Sequence, residues 1–263
     1  MRKYLYIYKS ELMSQLQYVF NLVFGFIGCG IILFIFFNLW HYIYSDSSQI
    51  INGYSVDQMI WYVIITEIIW GACMGRTLCR KISNDVRGGN IAYNINKPYN
   101  YIGYSLASHL GTGTVKGIIY TVLALTLGFI MIGKFPTTNI LELLLILLSS
   151  ILAVVISSLF TIFIGLFSFF IEDSSPFYWL YSKFILVIGV IFPIEYFPNV
   201  VQPFLKFSPI YVISYGPARL FVNFNINDCI SIFIAQFIYI SVAYLLCSII
   251  YKKGVRRLNV NGG

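Results

Sequence analysis

The densest group of charged side chains in this sequence lies between Arg76 and Asn100, and its composition favours docking over catalysis. Five cations occur there with a single acid, Asp85. An arginine guanidinium can bind a carboxylate through two parallel hydrogen bonds, which lysine cannot reproduce. Arg87 is therefore a candidate for contact with an acidic surface. The five cations are Arg76, Arg80, Lys81, Arg87 and Lys97.

Residues 76–100 also carry signals for local structure. The Ser-Asn-Asp run at 83–85 consists of residue types that cap helix N-termini, so we expect Asp85 to cap a short helix. Gly88 and Gly89 form a turn or C-cap signal, and Pro98 should end any helix that precedes it. The pattern predicts a short helix, a glycine break and a second short segment. The candidate docking residues are Asp85, Arg87, Gly88, Asn90 and Pro98.

Glu67 is the second candidate for chemistry, because it lies within an apolar stretch. A carboxylate inside a membrane helix is costly and is a candidate functional residue for that reason. Trp70 and Met74 follow at i+3 and i+7, on the same helical face. Two interpretations stay open. Glu67, Trp70 and Met74 could mark a polar point on a substrate path, or the carboxyl could be protonated or hydrogen-bonded and hold helices together.

No catalytic constellation is visible in the sequence. There is no Ser-His-Asp, Cys-His or metal-spaced set, and GTGTVKG at 111–117 lacks the GxxxxGK[ST] pattern of a phosphate loop. The five cysteines show no CxxC pairing and lie mostly in or beside apolar stretches, so we expect reduced, buried thiols. We predict no catalytic residue, no metal site and no cofactor bound by this chain.

The composition indicates a membrane protein. Of 263 residues, 59% are hydrophobic and 10% are charged, whereas soluble domains carry about 25% charge. The net charge of +7 requires no nucleic acid, because 14 of the 17 Lys and Arg fall in segments that we place on the cytosolic side. Such an asymmetry sets topology. The three exceptions are Lys134, Lys206 and Arg219.

About 20 consecutive apolar residues span a bilayer. On this basis we predict an all-α protein with a single transmembrane domain, six transmembrane helices and both termini in the cytosol. The amphipathic residues 1–18, with Leu5, Tyr8, Leu12 and Leu16 on one face, precede the first span and predict an interfacial helix. A simple cytosolic extension of the first span is the alternative. The predicted spans are 19–43, 58–75, 110–132, 141–170, 177–194 and 229–251.

The fifth span is unusual, because only 11 residues separate Lys183 from Glu195. Extending it back to Phe177 gives a crossing if Lys183 snorkels to the interface. Five of the eight prolines then fall between residues 193 and 217. The apolar pieces between them are too short to span, so we predict an outer re-entrant hairpin of broken helices at 195–218. Its candidate residues are Pro193, Glu195, Pro198 and Pro209.

Three stretches resemble the membrane subunits of ABC-2-type exporters, especially a bacterial branch in which two similar permeases pair. The first, W-x5-E-x2-W…R-x5-I-x2-DVRGGNIAY-x3-KPY from Trp61 to Tyr99, is similar to the second span and coupling loop of that family. The others are FFIEDSSPFYWLYSK at 169–183 and IFPIEYFPNVVQPFLKFSPIYVISYGPA at 191–218. Together with the spans, the resemblance covers essentially the whole chain.

The resemblance implies a multi-pass permease subunit of the bacterial plasma membrane that moves an amphipathic compound, peptide or lipid outward by alternating access. ATP and Mg would be bound by a separate ATP-binding subunit, present in two copies, which grips a cytosolic coupling helix. A second permease, similar or identical, and membrane lipids are the other implied partners. The resemblance places in or beside the coupling helix Asp85, Arg87, Gly88 and Pro98, and in the outer hairpin Pro193, Glu195 and Pro198.

Two other functions remain as alternatives. Inverted repeats and several charges within the membrane would indicate a self-sufficient secondary carrier, but the two halves of this sequence are unlike. A membrane enzyme acting on lipids would need clustered His, Asp or Glu at one interface, and His41 and His109 are predicted on opposite sides. The aromatic content of 18% could line a path or form interfacial belts, so the cargo stays open.

Overall fold

The computed structural model describes residues 2–44, 46 and 49–261, without the side chains of 19–23, 26, 95 and 258–261. Every regular element in these ranges is helical, and one isolated bridge joins Ile51 to Tyr54. The prediction of an all-α protein is thus confirmed. Four helical stretches are long and apolar enough to cross a membrane, namely Val56–Arg87, Tyr101–Ile132, Ile140–Phe169 and Ile226–Arg257. Ile27–Ile43 and Ser175–Ile191 are shorter apolar helices.

The chain forms eleven α-helices within the described residues. Short 3-10 turns occur at Phe167–Phe169 and Ile194–Tyr196, and π-helical turns at Leu186–Ile191 and Tyr211–Tyr215. The α-helices are α1 (Arg2–Leu16), α2 (Val19–Ile43), α3 (Val56–Cys73), α4 (Arg76–Arg87), α5 (Asn90–Ile95), α6 (Tyr101–Ile132), α7 (Ile140–Leu166), α8 (Ser175–Ile185), α9 (Gln202–Lys206), α10 (Gly216–Val222) and α11 (Ile226–Asn261).

Local polar residues decide where several of these helices begin. The Asn100 side chain accepts hydrogen bonds from the backbone N–H groups of Ile102 and Gly103, so α6 begins well before residue 110, where its apolar stretch starts. Ser55 and Gln58 form a reciprocal capping box at the start of α3. Such caps satisfy N–H groups that the first helical turn leaves without partners. An apolar count cannot detect them, which is why the third span was predicted from residue 110 although α6 begins at Tyr101.

The central helix of the bundle is α3. It contacts α2, α6, α7 and α10, and nearly all of its side chains are buried. Trp61 on α3 lies against the rings of Phe135 and Phe221, at centroid distances of 5.1 and 5.5 Å. A Cβ at Gly128 of α6 would lie 2.7 Å from the Trp61 ring. Only glycine therefore allows the α3–α6 approach at this level.

Connecting segments gather at two opposite ends of the bundle. We call the end that contains α4 and α5 the basic end; there Tyr101 stacks on Tyr251 of α11 at 5.8 Å. We call the other end the proline-rich end. It contains segments 49–55, 133–139 and 192–210, and there Lys134 forms an ion pair of 3.0 Å with Asp57.

Residues 175–222 form a broken path of short helices. After α8 and its π-helical turn, Pro193 begins the return, which passes through α9 into the buried arm Tyr211–Val222. Two hydroxyls of α3 bind backbone carbonyls of the π-helical turn, Tyr62 to Gly189 at 2.8 Å and Thr66 to Val190 at 3.1 Å. The broken segment therefore continues past residue 218, and its second arm lies within the bundle.

Helix α1 contacts α6 through part of its predicted apolar face and through polar residues. Leu5 and Leu16 are exposed. Against α6, the Tyr8 hydroxyl donates to Thr114 Oγ1 at 3.0 Å, and Glu11 accepts from the Ser108 hydroxyl at 2.8 Å. Leu5 and Leu16 are thus left free of the bundle, while hydrogen bonds from Tyr8 and Glu11 hold α1 to α6. The interfacial position of α1 stays a prediction.

Candidate functional site

Helix α4 presents one buried and one exposed face at the basic end. Its apolar residues recur at spacings of three and four, so they lie on one side of the helix and pack against α7. Ile82 lies so close to Gly165 of α7 that a Cβ at 165 would be 3.0 Å from Ile82 Cβ. This contact fixes α4 on the bundle. The exposed cations are Arg76, Arg80, Lys81 and Arg87.

Asp85 does not cap a helix, which corrects the sequence-based prediction. The N-cap of α4 is Gly75, and residues 83–85 lie inside the helix. Helix formation begins at Arg76 because the chain turns there directly after α3, seven residues before the Ser-Asn-Asp run. The Asp85 carboxylate instead accepts a hydrogen bond from the Tyr101 hydroxyl at 2.8 Å. Asp85 therefore connects α4 to the start of α6.

The predicted glycine break lies between α4 and α5. Gly88 is the C-cap of α4, and its N–H donates to the Asn84 carbonyl at 2.9 Å. Gly89 has φ +72°, in the left-handed region that glycine adopts at little cost. Asn90 then begins α5 and is exposed, while Ile91 is buried. The turn thus holds a short second helix beside the exposed arginines.

Pro98 lies where α1 closes over the end of this segment. Its carbonyl accepts a hydrogen bond from Lys3 Nζ. The Asn100 N–H donates to the Tyr4 hydroxyl at 3.0 Å. Lys97 lies over the Tyr93 ring, 4.3 Å from its centroid. Both ends of the α4–α5 segment are consequently tied to other helices, α3 before it and α1 and α6 after it.

Arg80 and Arg87 have no carboxylate within 4.0 Å in the described part of the chain. Asp173, in the turn before α8, lies within electrostatic range of both arginines. Hydrogen bonds from the backbone and side chain of Ser175 lower the Asp173 pKa, and Arg87 and Arg80 lower it further. The arginine charges therefore remain available to a partner's carboxylates.

Glu67 is buried in the middle of α3, with 2% of its surface exposed. None of the described residues forms a hydrogen bond or ion pair with its carboxylate. Cys29 of α2 and Tyr120 of α6 lie within its electrostatic range. One turn further, Tyr120 packs so tightly on Gly71 that a Cβ there would be 2.6 Å from the ring. Glu67 thus lies at the junction of α2, α3 and α6.

The three candidate path residues do not line a common cavity. Met74, 40% exposed, faces a cavity of about 430 Å³ at the basic end, which Trp70 and Glu67 do not reach. Trp70 and Met74 border a separate, nearly closed gap beside Tyr178 and Tyr181. Because helical periodicity places residues on a face without showing what covers that face, the sequence could not distinguish these surroundings.

The proline-rich end contains a hydrogen-bonded cluster around Glu195. Its carboxylate accepts from the Tyr54 hydroxyl at 3.1 Å and from the Tyr215 hydroxyl at 2.5 Å. Tyr44 and Tyr196 share a further hydrogen bond of 2.8 Å. Burial raises the pKa of Tyr54, and the nearby Glu195 charge raises it further, so Tyr54 stays a donor. Of the candidate prolines, Pro193 is buried, Pro209 half-buried and Pro198 exposed.

A family model described as ABC-2 family transporter protein matches residues 15–262. The chain belongs to the ABC-2 transporter family. No curated protein sequence matched it. The resemblance drawn from the motifs is confirmed: the chain is a multi-pass membrane permease component of an ABC transporter. ABC-2 permeases are typically non-enzymatic subunits that work with ABC ATP-binding subunits.

The polar residues that meet at the basic end of this ABC-2 permease were not predicted from the sequence to lie together. The cavity at the basic end is lined by Glu11, Lys81, His109 and Lys116. Lys116 carried a signal, since it interrupts an apolar stretch as Glu67 does. His109 is held by Ser158 at 2.8 Å and by the Met74 carbonyl at 3.3 Å, in keeping with an ordinary hydrogen-bonded helix residue. Tyr54 carried no signal, because its partner Glu195 is distant in the chain.

Proposed function

We propose that this chain is the permease subunit of an ATP-driven exporter in a bacterial plasma membrane. Two copies of a separate ATP-binding subunit dock on the α4–α5 segment and drive alternating access in a pair of similar or identical permeases. The cargo is an amphipathic compound, peptide or lipid that moves outward. In this proposal six helices cross the membrane, the basic end and both termini are cytosolic, and the proline-rich end faces outward.

The observation that carries the proposal is the set of contacts that α4 makes with the bundle. It follows α3 directly, packs against α7 through Ile82, and binds α6 through Asp85. The N–H of Gly75, at the α3–α4 junction, donates to the Tyr178 hydroxyl of α8 at 2.9 Å. A displacement of α4 would therefore act on four helices at once, as a coupling element requires.

The exposed face of α4 supports docking of an acidic surface. Arg80 and Arg87 project guanidinium groups from a fixed helix, and the fork of each group matches a carboxylate. Docking through such pairs weakens as salt is added. In this reading α5 extends the contact surface through Asn90 and Ala92, both exposed.

The experiment combines Arg80→Glu with Arg87→Glu in the full permease, co-expressed with its ATP-binding subunit. We expect at least about ten-fold weaker co-purification, since each reversed pair costs more than 1.4 kcal/mol, and loss of cargo-stimulated ATP hydrolysis in proteoliposomes. Lys206→Glu, an exposed cation at the proline-rich end, is the matched control. Unchanged binding and hydrolysis in the double variant would refute the docking surface.

Single-cysteine labelling tests the orientation, on a background that lacks the five native cysteines. Asn90→Cys and Asn199→Cys introduce exposed thiols at the basic and proline-rich ends. We expect an impermeant maleimide to label position 199 in intact cells, and position 90 only after permeabilisation. The reverse pattern would overturn the topology. Transport without the ATP-binding subunit would instead support a secondary carrier.

A further inference from the structure

A cavity at the basic end lies between α1, α2, α4 and α6. It has a volume of about 430 Å³ and is lined by residues of α1, α4 and α6, by Met74 at the junction of α3 and α4, and by Gly25 of α2. Its polar lining includes Glu11, Lys81, Thr112 and Lys116. Met74 and Ile119 contribute apolar surface. The cavity can therefore hold a molecule with one charged and one apolar part.

Lys116 faces this cavity without a countercharge. It is half-buried in α6, and no described residue forms a hydrogen bond or ion pair with its ammonium group. Every Asp and Glu of the chain lies within the described residues, so none of their side chains supplies a carboxylate for Lys116. A charged group held in a membrane helix is costly unless it is paired.

The remaining charges of the cavity balance one another. Glu11 lies 3.7 Å from Lys81 Nζ and accepts from the Ser108 hydroxyl. Both ring nitrogens of His109 are held by hydrogen bonds. Among the described residues that line the cavity, Lys116 is therefore the cation left without a countercharge.

We propose that this cavity binds the phosphate headgroup of an amphipathic molecule, with Lys116 as its countercharge and the apolar part of the ligand against Met74 and Ile119. The inference deepens the proposed function by naming an anionic amphiphile as the ligand, and rests on that function only for the side of the membrane from which the ligand enters. Glu11 and Gln15 of α1 form part of the cavity wall, so in this proposal an inner-leaflet headgroup reaches the cavity beside α1.

The test measures lipid binding to the purified full-length permease in neutral detergent by native mass spectrometry. Phosphatidylglycerol and phosphatidylcholine of equal chain length are the probes. We expect about a ten-fold preference for phosphatidylglycerol in the wild type, its loss in Lys116→Gln and its retention in Lys116→Arg. Lys206→Gln, which removes an exposed cation at the other end, should retain the preference. An unchanged preference in Lys116→Gln would overturn the proposal.

Inorganic phosphate distinguishes the two sources of the anion. If millimolar phosphate displaces phosphatidylglycerol from the wild type, the site takes a free anion and the amphiphile assignment is wrong. If Lys116→Gln fails to fold, protection of Lys116 from an amine-reactive reagent by phosphatidylglycerol, and not by phosphatidylcholine, supports the proposal in the wild type. Equal protection by both lipids overturns it.

This test is independent of ATPase docking. The Arg80→Glu, Arg87→Glu variant should bind phosphatidylglycerol like the wild type, because neither arginine lines the cavity. If the arginine variant loses docking but keeps its lipid preference, the result bears on the proposed docking surface and not on the cavity. If Lys116→Gln loses the lipid preference but still docks, the result bears on the cavity and not on docking.

Discussion

The two ends of the bundle differ in how several of their charged groups are paired. At the proline-rich end, the Glu195 carboxylate accepts hydrogen bonds from two tyrosine hydroxyls, and Lys134 forms an ion pair with Asp57. At the basic end, Arg80 and Arg87 point outward and Lys116 faces an open cavity without a carboxylate. A charge that is satisfied within the chain stabilises the fold, whereas one that lacks a partner is available to another molecule.

The largest expected effect on stability is at Glu195. Glu195→Ala leaves the buried hydroxyls of Tyr54 and Tyr215 without their acceptor, and each unsatisfied group costs about 1–3 kcal/mol. We expect the free energy of unfolding in detergent to fall by about 2–5 kcal/mol. The control is Glu172→Ala, an exposed acid near the basic end, which should change stability little. Equal stability of the two variants would show that the cluster does not hold the proline-rich end.

At the basic end the corresponding test is Asp85. Asp85→Ala leaves the buried Tyr101 hydroxyl without an acceptor and should cost about 1–3 kcal/mol. Tyr101→Phe removes the donor and should cost less, about 1 kcal/mol. Denaturation of both variants, together with cargo-stimulated ATP hydrolysis, checks the link between α4 and α6. If cargo stimulates ATP hydrolysis as strongly in Asp85→Ala as in the wild type, the Asp85–Tyr101 hydrogen bond is not needed to couple α4 to α6.

Glu67 distinguishes a transport role from a structural one. Because no described residue hydrogen-bonds its carboxylate, Glu67→Gln should leave the unfolding free energy unchanged or raise it slightly. If the carboxylate belongs to the cargo path, transport in proteoliposomes should fall several-fold while assembly with the partners persists. Normal transport by a normally assembled variant would show that the charge is unnecessary.

The smallest effect is expected at Asp173. Hydrogen bonds from Ser175 lower its pKa in the folded protein, so its contribution to stability is present above the unfolded pKa of about 3.9 and is lost as the pH falls through the lower folded value. The melting-temperature difference between the wild type and Asp173→Ala should therefore shrink as the pH falls below about 5. If the melting-temperature difference grows as the pH falls, the Asp173 pKa is not lowered by folding.

Some of the local structure could be predicted because its cause is local. Gly88 and Gly89 break the basic segment into α4 and α5, as expected from glycine's access to positive φ. The N-cap prediction at 83–85 was wrong, because capping residue types also occur inside helices when a tertiary contact uses the side chain. Tyr101 supplies that contact for Asp85.

Composition and apolar length predicted an all-helical membrane protein, because these are properties of neighbouring residues. The ABC-2 family was indicated by a resemblance of three sequence stretches and is shown by the family model over residues 15–262. The tertiary structure decided which charges are satisfied. Tyr54 and Glu195 lie 141 residues apart in the chain, yet they share a hydrogen bond. Lys116 and Glu67 look alike in sequence as charges in apolar stretches, but only packing places one beside an open cavity and buries the other. Pairing depends on distances between helices, which no local pattern encodes.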